Sequence, residues 1–296
     1  MKVRQICMMV LLGLGVIPAM QAQTFDKLWK EVEQAEKKSL PKTVIKLTDE
    51  IYQKGEKEKN SPQMLKAYAW RMKYREMLNP DSLYAGLKGL EQWVKQTDQP
   101  MDRAILHSLI AGIYANYAAN NQWQLRQRTE IVGQTPSADI REWTANMFVE
   151  KVRTNVKEAL ADSVLLLKTS SRDYIPFVEL GKTSEYYHHD LYHLLASRGI
   201  DALLQVEKLG SGYTETNAVN PVKQDIIATY GNMLSAYKAA GLKEGYVLTA
   251  LNYLDWRRGA ERYIRPLQVK GEASVLTDDT YLKALNTLKS KYASEP

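Results

Sequence analysis

Pro41-Lys42-Thr43-Val44-Ile45-Lys46-Leu47-Thr48-Asp49-Glu50-Ile51 decides the fold class. Val44, Leu47, Thr48 and Ile51 recur at the three- and four-residue spacing that puts side chains on one face of a helix, and Pro41 sits where a helix tolerates proline, in its first turn. The same arrangement returns about every 20 residues, after Pro62, Pro80 and Pro100. Met64, Leu65, Tyr68 and Met72 follow Pro62; Leu83, Leu87, Leu90 and Val94 follow Pro80; Leu106, Leu109, Ile113 and Tyr117 follow Pro100. Ser61, Asn79 and Asp81 are available as caps. One-faced helices joined by such short turns must pack antiparallel, since only a neighbouring helix can cover each apolar stripe.

A helix plus its turn gives a two-helix unit of about 36 to 40 residues, within the range of stacked helical repeats. The Trp, Leu-Gly and Tyr signature of tetratricopeptide repeats is missing. A further long helix is expected over about Ala138–Lys168, kinked or broken midway, with Ile140, Trp143, Met147, Val152, Val156 and Leu160 inward. The periodicity lapses between Thr169 and Ser184, then resumes over Tyr186–Lys208, Val222–Ala239, Leu242–Arg258 and Asp278–Tyr292. Strand signals are nearly absent. The expectation is an all-α chain of about 11 helices, an irregular antiparallel array of the α-α superhelix or tetratricopeptide-like solenoid type. Its halves are residues 23–168 and 169–296, or one continuous superhelical domain.

Residues 1–22 read as a secretory signal peptide. Lys2 and Arg4 form the basic start, Ile6 to Ile17 the short apolar stretch, and Ala19-Met20-Gln21-Ala22 the small-residue cleavage region. Cys7, the only cysteine, would leave with it, so neither disulfide nor thiol chemistry is expected in the exported protein. The periplasm is the expected compartment, with the cell surface or secretion as alternatives. A net charge of +6 over 296 residues, two charges of it in the signal, is too weak to point to nucleic acid. The lysine clusters at Lys37–Lys42 and Lys54–Lys59 read as solvated faces. No later apolar stretch approaches the roughly 20 residues of a membrane span.

Several stretches resemble the N-terminal helical region of the large α2-macroglobulin-like exported proteins of the Bacteroides group. They are Phe25-Asp26-Lys27-Leu28-Trp29, Leu40-Pro41-Lys42-Thr43-Val44-Ile45, Pro62 to Tyr68, Ala104 to Tyr114, Pro136 to Trp143 and Tyr174 to Leu180. The resemblance implies a helical, repeat-like platform that in such proteins precedes macroglobulin domains. The Cys-x-x-Gln thioester setting, the bait segment and the strand-rich macroglobulin domains are not in this sequence, so no trapping activity is carried over to any residue. The chain is accordingly expected to be a truncated, split or free-standing N-terminal module.

Two constellations could carry chemistry. His188-His189-Asp190-Leu191-Tyr192-His193 places His189 and His193 four residues apart, the spacing at which two imidazoles on one helix face share a metal. Asp190 stands where zinc proteases have their glutamate, and Glu207 or Glu215 would have to supply a third ligand. The bland alternative is a helix buried through Leu191, Leu194 and Leu195, with the histidines capping it or facing solvent. Trp256, Arg257 and Arg258 with Arg262, Tyr263 and Arg265 interleave cations and aromatics, as a site for an anion, a glycan or an acidic partner would; a helix C-terminus running into a loop reads the same way. No Gly-x-Ser-x-Gly turn or phosphate-binding glycine loop is present. The eighteen Tyr and six Trp against three Phe suit helix cores and wet rims alike, with Tyr186, Tyr187 and Tyr192 the rings closest to the histidines. The leading expectation is a non-catalytic scaffold in the envelope, without cofactor, that holds a protein partner such as macroglobulin-type domains. The alternatives are a glycan-binding helical protein and a metal-dependent hydrolase using His189 and His193.

Overall fold

The computed structural model describes residues 17–129, 137–181, 184, 189–209, 220–262 and 278–292, with side chains from Phe25 onward and as far as Arg258 in the helix that ends at Arg262. The basic start and most of the apolar stretch of the signal reading lie outside the described residues. All the regular elements described are helical: α1 (Ile17–Lys37), α2 (Pro41–Glu58), α3 (Ser61–Leu78), α4 (Ser82–Gln96), α5 (Pro100–Asn120), α6 (Gln122–Arg126), α7 (Ala145–Ala159), α8 (Ser163–Lys168), α9 (Leu191–Glu207), α10 (Pro221–Ala240), α11 (Lys243–Arg262) and α12 (Asp278–Tyr292). Two short 3₁₀ turns, Ile140–Glu142 and Ser171–Tyr174, complete them. The only β feature among the described residues is an isolated bridge between Ser170 and Asp190. The chain is all-α. No helix among the described residues is long and apolar enough to cross a membrane.

The helices group into two compact units, one formed by the described residues up to Gly89 with Arg172–Glu179, the other by Leu90–Ser171 with the described residues from Leu180. In the first unit α2 packs against both α1 and α3. The α2 stripe is its core: Val44, Thr48 and Ile51 are fully buried, with Leu47, Phe25, Val32, Ala35 and Ala67 around them. Each of the Val, Leu and Ile side chains stabilises by about 1.5–3 kcal/mol relative to exposure. Thr48 is tolerated there because its hydroxyl donates to the Val44 and Ile45 carbonyls, both at 2.9 Å. Pro41 and Pro62 occupy the first turns of α2 and α3. The cap of α3 is Asn60 rather than Ser61: its side chain accepts from the Gln63 N–H. Pro80 lies in the turn ahead of α4, where the Asn79 side chain accepts from the Asp81 N–H.

In the second unit α5 packs against α7 and α9, α9 against α10, and α10 against α11. Covered from more than one side, α5 buries Ala104, Ile105, Leu106, Ile110, Ala111, Tyr114, Ala115 and Ala118. The narrower stripe expected through Leu109, Ile113 and Tyr117 is only half-buried, so burial runs round the helix instead of along one face. Gly199 lets α9 approach α7, because a Cβ there would stand 2.9 Å from Val156. The long helix expected over Ala138–Lys168 is broken at both ends: Thr144 is extended ahead of α7, and Asp162 caps the separate α8 by accepting from the Leu165 N–H. Burial falls away towards α12, which has no buried residue.

Candidate functional site

The histidine stretch is built as a helix start. Asp190 is the N-cap of α9; one carboxylate oxygen accepts from the His193 N–H at 2.7 Å and the other meets His193 Nδ1 at 2.8 Å. Both residues are buried. The His193 ring lies tilted against Tyr237, centroids 3.8 Å apart, stands edge-on to Tyr192, and has its Nε2 3.5 Å from the Met233 carbonyl. Gly245 makes room for this group, since a Cβ there would stand 2.3 Å from Tyr237. His189 precedes the cap and is therefore not on the helix; its carbonyl accepts from the Ser171 N–H and hydroxyl at 2.7 and 3.1 Å. The i, i+4 argument for two imidazoles on one helix face thus loses its premise. Glu207, a conceivable third ligand, lies 3.7 Å from Lys223 and accepts from the Trp256 indole at 3.3 Å. His188, Tyr186, Tyr187 and Glu215 lie outside the described residues. Among the described residues no three His, Cys, Asp or Glu side chains are grouped to hold a metal ion.

Of the second constellation, Trp256, Arg257 and Arg258 lie on α11, the side chain of Arg262 is not described, and Tyr263 and Arg265 fall outside the described residues. Trp256 is stacked within a group formed with Tyr230 and Tyr253. Burial, helped by the charge of Asp201, pushes the Tyr230 hydroxyl up to about 12. Arg257 lies over Tyr253, while Arg258 pairs with Asp278 at 3.0 Å and covers Tyr281, fastening α11 to α12. These three residues are engaged in holding their own unit together. A cleft of about 470 Å³ between α7 and α10 is lined by Arg153, Lys157, Asp225 and Asn232 among others. Arg153 is spanned there between Asp225 and Glu150, leaving its charge neutralised within the cleft.

The first unit carries a different kind of surface, which the sequence reading missed. Trp29 and Trp70 meet edge to face at 6.0 Å, and Lys66 places its ammonium over both rings, at 4.6 and 5.2 Å. Glu36 accepts from the Trp70 indole at 3.1 Å and from the Tyr74 hydroxyl at 2.7 Å. Burial and that hydrogen bond raise the Tyr74 hydroxyl to about 12. These bonds tie the C-terminal half of α3 to the end of α1. Because α1 and α3 both run antiparallel to α2, their C-termini and the start of α2 share one end of the unit. Leu40, Met77 and Leu78 lie at that end and are 46, 69 and 47% exposed. Met77 and Leu78 follow Tyr74 by three and four residues, on its face of the helix. Lys37, Lys38, Lys42 and Lys73 are exposed at the same end. The only signal in the sequence was the continuation of the α3 apolar spacing past its last buried turn. Compared with protein-family models, with curated proteins and with solved structures, the chain matches none.

Proposed function

We propose that the chain is a non-catalytic helical module that holds a protein partner, and that Leu40, Met77 and Leu78 beside Lys37, Lys38 and Lys73 form the contact. The observation that carries this reading is the exposure of three large apolar side chains at one end of the bundle formed by α1, α2 and α3. Apolar side chains grouped within a polar rim mark protein contacts more often than they mark idle surface. The lysines add selectivity for a partner with acidic side chains around an apolar centre. The lysine cluster at Lys37–Lys42 then serves as the rim of this contact. The resemblance to the helical start of α2-macroglobulin-like proteins supports macroglobulin-type domains as that partner, in the envelope after export. The reading as a metal-dependent hydrolase has less support, because His189 stands off the helix and His193 is committed to the cap.

The test is co-purification from envelope extracts with the wild type and with a Met77→Ser, Leu78→Ser double variant. Both changed residues are exposed, so helicity and melting temperature should be kept. The reading expects one discrete partner to follow the wild type and to be lost from the variant. Equal recovery by both proteins would count against it.

A further inference from the structure

We infer that Trp123 and the short helix α6 form a glycan-binding tip on the second unit, taking a pyranose sugar on the indole face. Trp123 is 73% exposed, more than any other large apolar side chain among the described residues. It is held outward by construction. Leu125, two residues on, lies on the opposite face of the turn, is 1% exposed, and anchors α6 to its unit. Arg126 and Gln127, three and four residues after Trp123, come onto the ring's side of the turn.

The surroundings decide the class of ligand. Asn120, Gln124, Arg126 and Gln127 are all exposed, and from Asn120 to Arg128 the one other large apolar residue is the buried Leu125. A protein hot spot would place such an indole among further apolar side chains that exclude water. Among the described residues of this stretch the ring is flanked by exposed amides, each of which both donates and accepts hydrogen bonds. A pyranose fits that pattern, because its axial C–H groups form an apolar face that covers an indole while its hydroxyls, each donor and acceptor, point to the rim. Arg126, exposed on the ring's side of the turn, adds a cation that favours sugars bearing a carboxylate over neutral ones. This tip is independent of the protein contact proposed on the first unit.

The test uses the whole chain on an array holding neutral hexose oligosaccharides and uronate-containing oligosaccharides, followed by solution titration with the best-retained hexasaccharide. Wild type should bind saturably, with the uronate series ahead of the neutral one. Trp123→Ala should weaken binding at least tenfold, and Trp123→Phe, which keeps an aromatic face, should lose less. All variants should keep the wild-type circular dichroism spectrum. The Met77→Ser, Leu78→Ser variant should bind glycan as the wild type does, which separates failure of this inference from failure of the protein-partner reading. No saturable binding to any oligosaccharide on the array, or equal binding by Trp123→Ala, would overturn it. So would loss of the protein partner in Trp123→Ala without any glycan effect, since the indole would then be a protein contact.

Discussion

The two units differ in how closely their Tyr and Trp rings pack on one another, although cations cover rings in both, Lys151 over Tyr114 in the second among them. In the second, rings are packed on rings: Trp143 stacks on Tyr114 at 5.3 Å, Tyr117 stacks on Phe148 at 5.3 Å, and Trp143 leans against Phe148. In the first, Trp29, Tyr52 and Trp70 are half-buried while Phe25 and Tyr68 are buried, and charges cover several of these rings. Lys66 lies over Trp29 and Trp70, and Arg71 over Tyr52 and Tyr68 while it pairs with Asp49 at 2.7 Å. A ring sealed by other rings contributes stability and little else. One covered by a lysine stem and its ammonium stays at the surface, where a partner can displace water from its edge.

Phe148→Ala should give the largest effect, a loss of about 3–5 kcal/mol for a fully buried aromatic. Trp70→Ala, its counterpart in the first unit, should cost clearly less because its ring is already half in water. Chemical denaturation measures both, and an equal or larger loss at Trp70 would show that the two rings are packed alike. Asp190→Ala should cost about 2–3 kcal/mol, since it removes a cap and leaves buried His193 without its carboxylate. Asp190→Asn should recover much of that by keeping the cap.

Alkaline pH sharpens the contrast further. Tyr74 and Tyr230 are held neutral up to about 12, whereas an unfolded tyrosine ionises near its ordinary value of 10.0. The unfolded chain therefore releases protons first, and their contribution to stability, complete below about pH 10, is lost as the pH rises towards 12. Tyrosinate absorbance followed beside helicity should show a late ionisation class that vanishes in denaturant. The smallest effect belongs to Lys66→Met, which keeps the packed stem and removes the cation from two indoles. A loss of about 0.5–2 kcal/mol is expected in thermal melts, and no change at all would show that the ammonium contributes nothing to the seam.

Much of the fold was legible because most helices carry their own punctuation and stripe. Val44, Leu47, Thr48 and Ile51 identified the first core directly, and Pro221 with its Asn220 cap marks where α10 begins. The stretch Ala138–Lys168 was harder. Its apolar spacing stays in phase across the break, and only the cap at Asp162 shows that the backbone turns there. The breadth of burial on α5 depends on neighbours far away in sequence, which no local pattern records. The sites were less legible still. A His-x-x-x-His spacing has meaning only if both residues are helical, and the Asp between them caps the start of the helix, leaving His189 outside it. Exposure of Met77, Leu78 and Trp123 is a property of what fails to pack over them, so their residue types gave no warning.

Site-specific photo-crosslinking in cells tests the partner surface most directly. With a benzophenone side chain at Met77, one discrete protein adduct is expected. The same probe at Lys57, exposed near the C-terminal end of α2 and so at the opposite end of the unit, should yield none. No adduct at Met77, or the same adducts from both positions, would contradict the claim that this end of the first unit holds a protein partner.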